Sequence, residues 1–396
     1  MSRILLGVSG GIAAYKACEL VRLFAQRGHE VRVVATEHAL EFVSALTLQT
    51  LSGAPVRSQL LEAGAESEIS HIQLADWAEV LVIAPATANV LAKLAHGIAD
   101  DLLTTVALAC TAPLVLAPAM NVNMYRHAAT QANLDLLQKR AARIVGPGKG
   151  DLACGWVGEG RLVENEAIAA VTEACVQEPV LRGEVVLVSA GPTAEPIDPV
   201  RVITNRSSGK MGFALAEAAA RRGAEVTLVA GPTALPTPYG VARLDVETAL
   251  EMREAVLGAF DRATIVILAA AVADYAPAQA HDTKLKREQS DSLSLQLVRN
   301  PDILAEVVKR KGGRTVVGFA AETDHVLENA RGKLVRKGCD LIVANDVSRS
   351  DIGFDVDRNE VVIVGPGPDE LREVPAGPKS EIAERILERV LEVRRR

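Results

Sequence analysis

The stretch TNRSSGKMG, residues 204–212, combines small residues with a Gly-Lys pair, a composition typical of loops that hold phosphate. The nucleotide-binding P-loop requires the pattern G-x-x-x-x-G-K-[ST]. Thr204 stands where the first glycine of that pattern belongs, and Met211 stands where its metal-binding hydroxyl belongs. The stretch therefore predicts an anion site of another kind, at a turn that leads into a helix N-terminus.

A second candidate anion site is the turn Ser9, Gly10, Gly11, Ile12, which lies between a predicted strand and a predicted helix. Backbone N–H groups and the helix dipole can hold a phosphate there. The turn does not match G-x-G-x-x-G, so the dinucleotide-binding fingerprint is absent. On the residues alone, a tight turn that needs glycine for backbone reasons explains the pattern equally well.

Thr87 and Asn89 follow the apolar run Val80–Ala84, and ligands bind at the carboxyl ends of strands in open α/β sheets. An N-cap before a helix that starts near Asn89 is the alternative interpretation. Asn121 follows another predicted strand and either binds a carboxylate or forms a turn.

Two further side chains could transfer protons. His71, in ISHIQLADW, has an intrinsic pKa near neutrality and could act as a general base, although a lone histidine is more often a surface residue. Cys154 lies among glycines in GDLACGWVGEGRL, and a cysteine in such a loop is a plausible acid or nucleophile.

The composition narrows the class of protein. The chain of 396 residues is long enough for two or three domains, and its net charge of −7 argues against a general nucleic-acid binder. No uninterrupted apolar run reaches the roughly 18 residues of a membrane-spanning helix, and we recognise no signal peptide. The five cysteines include no C-x-x-C pair. We therefore expect a reduced, cytoplasmic protein that has no membrane or nucleic-acid partner.

Strands alternate with helices in both halves of the chain, which predicts two doubly wound, Rossmann-like α/β domains with parallel sheets. The segment AQRGHEVRVVAT in the first half is similar to AARRGAEVTLVAGPT in the second half. We expect domains at 1–178 and 184–396, joined by a linker near Gln177–Gly183. Residues 276–298 are polar and carry Lys284, so we expect a mobile arm over a site.

Five motifs in the first half resemble the flavin-dependent cysteine decarboxylases, with phosphopantothenoylcysteine decarboxylase as the nearest match. They are SGGIAAYK, SHIQLADWAE, APATANVLAKLAHGIADDLL, APAMNVNM and LACGWVGEGRL. The resemblance implies a flavodoxin-like domain, with His71 as base, Asn121 on the substrate carboxylate, Cys154 as proton donor and Met124 as a further substrate contact. It also implies that FMN is bound around Gly10, Gly11, Ile12, Thr36, Thr87, Ala88, Asn89 and Ala119.

The second half resembles the phosphopantothenate–cysteine ligases through SAGPTAEPIDPVRVITNRSSGKMG, AAAVADY, KLK, NPDIL, VVGFAAET and IVANDV. The resemblance implies that Ser207, Ser208 and Gly209 hold 4′-phosphopantothenate and that Asn205 steadies an acyl-cytidylate. It implies a CTP site at Ala269, Ala270, Asp274, Lys284, Pro301, Asp302, Ile303, Leu304, Phe319, Lys333 and Lys337. On spacing alone, Lys333 and Lys337 could equally form a solvated helix face.

A ligase fused to a decarboxylase is the usual bacterial arrangement for these two steps of coenzyme A biosynthesis. The resemblance therefore implies a bifunctional enzyme whose substrates are 4′-phosphopantothenate, L-cysteine and CTP, with FMN and Mg²⁺ as cofactors. It also implies a homo-oligomer with trimeric flavin domains and dimeric ligase domains. The alternatives are a nicotinamide oxidoreductase, which the missing G-x-G-x-x-G disfavours, and a regulatory flavoprotein without catalytic activity.

Overall fold

The computed structural model describes residues 1–60, 71–151, 155–285, 294–322, 325–346, 356–367 and 370–395. The chain divides into two compact units, Met1–Glu178 and Pro179–Arg396. Within the described ranges, no helix is both long and apolar enough to cross a membrane.

The first unit contains a five-stranded parallel sheet with the strand order β2-β1-β3-β4-β5. This is the flavodoxin-like order, so the predicted fold class is confirmed for this unit. The strands are β1 (Arg3–Val8), β2 (Glu30–Ala35), β3 (Val80–Ala86), β4 (Leu114–Pro118) and β5 (Arg143–Ile144), and a hairpin of β6 (Gly148–Asp151) and β7 (Val157–Arg161) follows.

Helices cover both faces of this sheet. Alternate residues of β1 belong to different cores: Ile4 and Leu6 pack into one cluster, and Leu5 packs into the other. A short 3₁₀ helix spans Ile12–Tyr15. The α-helices are α1 (Lys16–Gln26), α2 (Glu37–Leu40), α3 (Ala45–Ser52), α4 (His71–Trp77), α5 (Ala88–His96), α6 (Leu102–Ala109), α7 (Val122–Arg126), α8 (Ala128–Lys139) and α9 (Asn165–Val176).

The second unit contains an eight-stranded sheet with the order β12-β11-β8-β13-β16-β17-β18-β19. The first six of these strands are parallel and follow the Rossmann order, and the last two are antiparallel. The sheet strands are β8 (Val185–Ala190), β11 (Glu225–Ala230), β12 (Val241–Asp245), β13 (Ile265–Leu268), β16 (Thr315–Glu322), β17 (Leu341–Asp346), β18 (Arg358–Val364) and β19 (Leu371–Pro378).

The described residues of the second unit also form two short hairpins and five helices. The hairpin strands are β9 (Ala194–Pro196) with β10 (Val202–Thr204), and β14 (Tyr275–Pro277) with β15 (Leu297–Arg299). The helices are α10 (Lys210–Arg221), α11 (Ala249–Phe260), α12 (Ile303–Lys309), α13 (Val326–Lys337) and α14 (Lys379–Arg394).

The hairpins were not predicted from the sequence, which indicated only a mobile arm at 276–298. Their strands of three residues are too short to show the alternation of apolar and polar side chains that predicts a strand. The two ends of the predicted arm are thus β14 and β15, which pair with each other. Its residues 286–293 lie outside the described ranges.

Candidate active sites

Ser9 joins the two strands at the point where the strand order of the first sheet reverses. It is fully buried at the end of β1, and its hydroxyl donates to the carbonyl oxygen of Pro85 at 2.7 Å. The Oγ atom of Ser9 also accepts from the backbone N–H of Thr87 at 3.1 Å and lies 3.2 Å from the Thr87 hydroxyl. Thr87 is the N-cap residue of α5, but its side chain makes no capping hydrogen bond. The Thr87 hydroxyl instead contacts Ser9, at the point where the strand order reverses between β1 and β3.

Gly10 and Gly11 are neighbours with different packing. A Cβ on Gly10 would lie 2.4 Å from the Cβ of His38, so only glycine lets the turn approach α2 this closely. A Cβ on Gly11 would lie 3.5 Å from Cγ2 of Thr87, an ordinary contact. Ile12 follows and is 61% exposed. Close packing therefore requires glycine at 10 but leaves room for a side chain at 11.

The other predicted FMN residues also follow the carboxyl ends of the strands. Thr36 follows β2 and caps α2 by accepting from the backbone N–H of Ala39 at 3.2 Å. Ala88 and Asn89 begin α5, after β3. Ala119 follows β4, and its N–H donates to the carbonyl of Ala86 at 3.1 Å. The structure thus brings the predicted set to one edge of the sheet.

The predicted substrate residues of the first unit lie on different segments. His71 is the first residue of α4 and is half-buried. Asn121 is the N-cap of α7, and its Oδ1 accepts from the backbone N–H of Asn123 at 2.8 Å, so its alternative role in a turn is realised. Met124 lies on α7 and is 49% exposed. Cys154 lies outside the described residues.

The β6–β7 hairpin, whose connecting segment contains residues 152–154, contacts the loop that carries Asn121. The N–H of Met120 donates to the carbonyl of Gly160 in β7 at 2.9 Å. A Cβ on Gly158 would meet the side chain of Val122 at 2.9 Å. This packing fixes the base of the hairpin beside the start of α7.

The second unit contains a cavity of about 860 Å³ at the carboxyl ends of its parallel strands. The loop that leads into α10 and the segment that follows β13 both line it, so it includes the point where the Rossmann strand order reverses between β8 and β13. All but one of the residues predicted for the ligase site line this cavity. They are Asn205, Ser207, Ser208, Gly209, Ala269, Ala270, Asp274, Pro301, Asp302, Ile303, Leu304, Phe319, Lys333 and Lys337.

The loop of residues 204–209 is held over the end of β8. The Nδ2 group of Asn205 donates to the carbonyls of Ala271 and Val272 at 3.2 and 3.1 Å, which orients the amide. Gly212, in the first turn of α10, lets the helix approach β8, because a Cβ there would lie 2.5 Å from the Cβ of Ala190. The N-terminus of α10 therefore points into the cavity, as an anion site requires.

Lys333 and Lys337 line the cavity and do not form a solvated helix face. The Nζ of Lys333 donates to the carbonyl of Phe319 at 2.7 Å, and burial lowers the pKa of this ammonium. Lys337 pairs with Asp302, the N-cap of α12. Burial raises the pKa of Asp302, but the hydrogen bond from Lys337 and the N–H of Ala305 lower it more. Asp302 is therefore an ionised member of the wall.

Lys284 is the predicted residue that does not line the cavity. Its side chain is exposed. The backbone N–H and the backbone carbonyl of the next residue, Leu285, both form hydrogen bonds. The Leu285 N–H donates to Asp198 at 3.1 Å, and its carbonyl accepts from Arg201 at 2.6 Å. Asp198 and Arg201 thus tie the start of the predicted arm to the turn between β9 and β10.

Asp198 has an unusually acidic carboxyl group. It is 2% exposed, and its oxygens accept from the N–H groups of Val200, Arg201 and Leu285 and from the guanidinium of Arg201. Burial raises its pKa, but these donors lower it further, to about 2. The Asp198 carboxylate, which holds the backbone of Leu285, is therefore charged at neutral pH.

The comparisons with known proteins agree with this geometry. Residues 1–177 match the Flavoprotein family model, and residues 181–393 match the DNA/pantothenate metabolism flavoprotein C-terminal domain. The coenzyme A biosynthesis bifunctional protein CoaBC of Escherichia coli strain K12 is 51% identical over 362 residues, which are 90% of this chain and 89% of that protein. Its namesake from Bacillus subtilis strain 168 is 48% identical over 391 residues, 98% of this chain and 96% of that one.

The chain belongs to the CoaBC family of bifunctional coenzyme A biosynthesis proteins. A crystal structure of the C-terminal domain of a CoaBC protein is 41% identical and covers 54% of this chain and 97% of that domain, with a TM-score of 0.47. The resemblance stated from the motifs is therefore confirmed, and so is the prediction of a flavoprotein joined to a ligase.

Sequence reasoning gave no role to several side chains that line the cavity. Lys210 is half of the Gly-Lys pair, which was a usable signal. Lys379 begins an amphipathic helix, where a lysine is usually solvated, so its position gave no signal. Basic side chains outnumber acidic ones in the described lining. The residues not predicted include Arg206, Lys210, Arg299, Asn300, Asn345, Asn359 and Lys379.

The described ranges contain no group of three or more His, Cys, Asp or Glu side chains that could hold a metal ion. Asp274 and Asp302 are the acidic side chains that line the described part of the cavity, and Asp302 is paired with Lys337. The predicted Mg²⁺ therefore has no dedicated cluster of ligands in these ranges.

Proposed function

We propose that the two units catalyse consecutive steps. The second unit joins 4′-phosphopantothenate to L-cysteine through an acyl-cytidylate formed with CTP, and the first unit decarboxylates the product to 4′-phosphopantetheine and CO₂. The observation that supports this most strongly is the cavity of about 860 Å³, which brings the loop of residues 204–209 together with Lys333 and Lys337. Membership of the CoaBC family supplies the two reactions.

The charges of the cavity suit the ligase reaction. A triphosphate, a phosphate monoester and a carboxylate all bring negative charge, and the described lining is rich in Lys and Arg. We propose that Lys333 and Lys337 bind the nucleotide and that Asn205, whose Nδ2 is held by two carbonyls, presents its Oδ1 to the acyl-cytidylate. Because Oδ1 is a hydrogen-bond acceptor, it would steady the intermediate, or the attacking amine of L-cysteine, by accepting a hydrogen bond in a fixed orientation.

Lys284 is proposed to approach the phosphates from the arm and to stabilise charge that develops during acyl transfer. The residue after it, Leu285, is held by hydrogen bonds to Asp198 and Arg201. Mg²⁺ is proposed to enter as the counter-ion of the triphosphate. Asp274, which lines the cavity, either contacts the ribose or helps to place this ion.

The edge of the first sheet fits FMN. Gly10 and Gly11 give a turn without side chains, Ala88 and Ala119 are small, and the exposed Ile12 offers an apolar surface to a flat ring. The first N–H groups of α5 have no partner within the helix and suit a phosphate. When bound, a flavin supplies a reversible two-electron acceptor, which a thiol-bearing carboxylate needs as an electron sink for decarboxylation.

The proposed roles of the protein groups in the first unit are positioning and proton transfer. Asn121 orients the substrate carboxylate, and Met124 contacts the substrate from the same helix. His71 takes the thiol proton, and Cys154 returns a proton to carbon at the end of the reaction. Cytoplasmic location remains a prediction from the composition, and an oligomer of trimeric flavin units and dimeric ligase units remains a prediction from the sequence resemblance.

Product mass spectrometry tests this proposal directly. The purified protein is mixed with 4′-phosphopantothenate, L-cysteine, Mg²⁺ and either CTP or ATP. We expect 4′-phosphopantetheine with CTP and little with ATP. Accumulation of phosphopantothenoylcysteine would support the ligase and contradict an active flavin unit as purified. No product with either nucleotide would contradict the proposal.

A further inference from the structure

The proposed ligase reaction has three substrates, but no residue has been assigned to the binding of L-cysteine. An α-amino acid carries an amine, which donates hydrogen bonds, next to a carboxylate, which accepts them. Its site must therefore offer a hydrogen-bond acceptor beside a donor or a cation. Basic side chains outnumber acidic ones in the described lining of the cavity, so acceptors are the scarcer groups there. An acceptor of fixed orientation is therefore the feature that locates the amine.

The segment that follows β13 holds two asparagine side chains by their nitrogen atoms. The Nδ2 of Asn205 donates to the carbonyls of Ala271 and Val272 at 3.2 and 3.1 Å. The Nδ2 of Asn300 donates to the next carbonyl along the chain, that of Ala273, at 2.9 Å. Both asparagines line the cavity. Because each nitrogen is bound to the backbone, each amide presents its oxygen, which only accepts hydrogen bonds.

Asn300 is bound to this segment through its main chain as well as its side chain. Its backbone N–H donates to the carbonyl of Asp274 at 2.9 Å. The side chain is half-buried, and its Oδ1 has no hydrogen-bond partner within the described ranges, yet it is open to solvent and not enclosed. The oxygen is therefore an accessible acceptor in one orientation, as the binding of a reacting amine requires.

Arg299 places a cation beside this acceptor. It ends β15, where it pairs with Tyr275 of β14, and it lines the cavity together with Asn300. Arg299 is exposed, and its guanidinium forms no ion pair within the residues that the structure describes. A guanidinium binds a carboxylate through two parallel hydrogen bonds. Two consecutive residues thus offer one group for each half of an α-amino acid.

We propose that Asn300 and Arg299 form the subsite for L-cysteine, in which the Oδ1 of Asn300 accepts from the amine and the guanidinium of Arg299 binds the carboxylate. The inference rests on the proposed ligase function, because it assigns the third substrate of that reaction. Asn205 is bound to the two preceding carbonyls of the same segment. The subsite therefore holds the amine beside the amide that is proposed to contact the acyl-cytidylate, and this proximity favours the reaction.

Ligation kinetics with two amines test the carboxylate half of the subsite. L-Cysteine carries both groups, whereas cysteamine lacks the carboxylate. The KM values of both amines, of CTP and of 4′-phosphopantothenate are measured by pyrophosphate release from the full-length, flavin-loaded protein. We expect Arg299→Gln to raise the KM of L-cysteine about tenfold, the lower end for the loss of a hydrogen bond between charged groups. The KM of cysteamine should not change, which a merely structural role of Arg299 would not explain.

Asn300→Ala tests the amine half, because it removes the acceptor that both amines share. We expect the KM values of L-cysteine and cysteamine to rise by the same factor, about fivefold for a hydrogen bond to a neutral group. The KM of CTP should stay at the wild-type value, whereas a merely structural role would change it too. A rise in the KM of CTP alone would show that Oδ1 binds the exocyclic amine of cytosine and would overturn the proposal.

Arg262→Gln is the matched control for Arg299→Gln. Arg262 is an exposed arginine of the same unit that pairs with Glu225 at 2.8 Å and does not line the described part of the cavity. We expect wild-type KM values for every substrate. An unchanged KM of L-cysteine in Arg299→Gln, or an equal rise in Arg262→Gln, would overturn the subsite. A wild type that releases no pyrophosphate with CTP, 4′-phosphopantothenate and L-cysteine would instead contradict the proposed ligase function.

Discussion

The two units place their candidate sites at the same topological position but build them differently. In the first, Ser9 closes the switch point with hydrogen bonds to Pro85 and Thr87, and the predicted FMN residues carry no ionisable side chain. In the second, the switch point opens into a cavity of about 860 Å³ whose wall includes Lys333 and Lys337. On the proposed functions, close backbone packing would hold the flat ring of the flavin, whereas the ligase substrates would be held by side chains of opposite charge.

The comparison also separates the two activities by experiment, because each unit has its own sheet, core and site. A variant in one unit is expected to leave the other reaction unaffected. The activity of the unchanged unit is therefore an internal control for each variant.

The largest expected effect is that of Cys154→Ser. If Cys154 is the proton donor, its weaker-acid replacement should lower formation of 4′-phosphopantetheine by about a thousandfold, the middle of the range for general acid catalysis. CO₂ release should continue until an enethiol product accumulates, as detected by mass spectrometry. Ligation should stay at the wild-type rate.

Cys110→Ser is the control for that variant. Cys110 lies next to the end of α6, and burial raises the pKa of its thiol, as expected for a packing residue. We expect normal turnover from this variant. Normal turnover of Cys154→Ser as well would remove Cys154 from the mechanism.

The second prediction concerns Asn205→Asp, in the other unit. A carboxylate beside the acyl-cytidylate repels developing negative charge, so amide formation should fall by about a hundredfold or more. Pyrophosphate release in the absence of L-cysteine should be less affected. Decarboxylation of added phosphopantothenoylcysteine should be unchanged. Wild-type ligation by this variant would show that Asn205 has no role in the reaction.

Much of this architecture could be predicted from the sequence, because strands buried on both faces are continuous apolar runs. The run Val80–Ala84 was recognised on that basis, and the strand that contains it, Val80–Ala86, is buried throughout. The hairpins β9–β10 and β14–β15 were missed, since three residues show no periodicity. The motifs predicted the residues that line the cavity near α12 and α13.

The rest of the cavity wall could not be predicted, because it depends on distant parts of the chain. Asn359 and Lys379 reach the cavity only because β18 and β19 extend the sheet in antiparallel orientation past β17. In the sequence, Asp198 cannot be distinguished from an ordinary turn aspartate. Its contact with the backbone N–H of Leu285 is visible only in the structure. Local patterns contain no information on such pairings.

The third prediction compares neighbouring glycines in the first unit. Gly10→Ala should destabilise this unit by about 1–3 kcal/mol, because its Cβ would clash with His38. Weaker retention of FMN should follow, measured by flavin absorbance after gel filtration. Gly11→Ala is the matched control for folding, since its Cβ meets only an ordinary contact, and should leave the stability of the unit unchanged. Equal destabilisation by both variants would contradict the claim that close packing requires glycine at position 10 in particular.

The smallest expected effect is that of Asp198→Asn, which weakens the anchor of the arm that carries Lys284. Ligation should slow by a few-fold, because a neutral amide at this position accepts more weakly from Arg201 and from the Leu285 N–H of the arm. The melting temperature of the second unit should fall at neutral pH. Flavin fluorescence, which reports the first unit, should show an unchanged transition.

The pH dependence of this last effect decides whether charge is its cause. The pKa of Asp198 is lowered to about 2 in the folded protein, below the value of about 3.9 for an unperturbed aspartate. Its charge therefore stabilises the fold above about pH 4, and this contribution is lost as the pH falls towards 2. The difference in melting temperature between wild type and Asp198→Asn should be constant near neutrality and shrink below about pH 4. A difference that stayed constant down to the lowest pH at which the protein folds would show that hydrogen-bond geometry, and not the carboxylate charge, holds the arm.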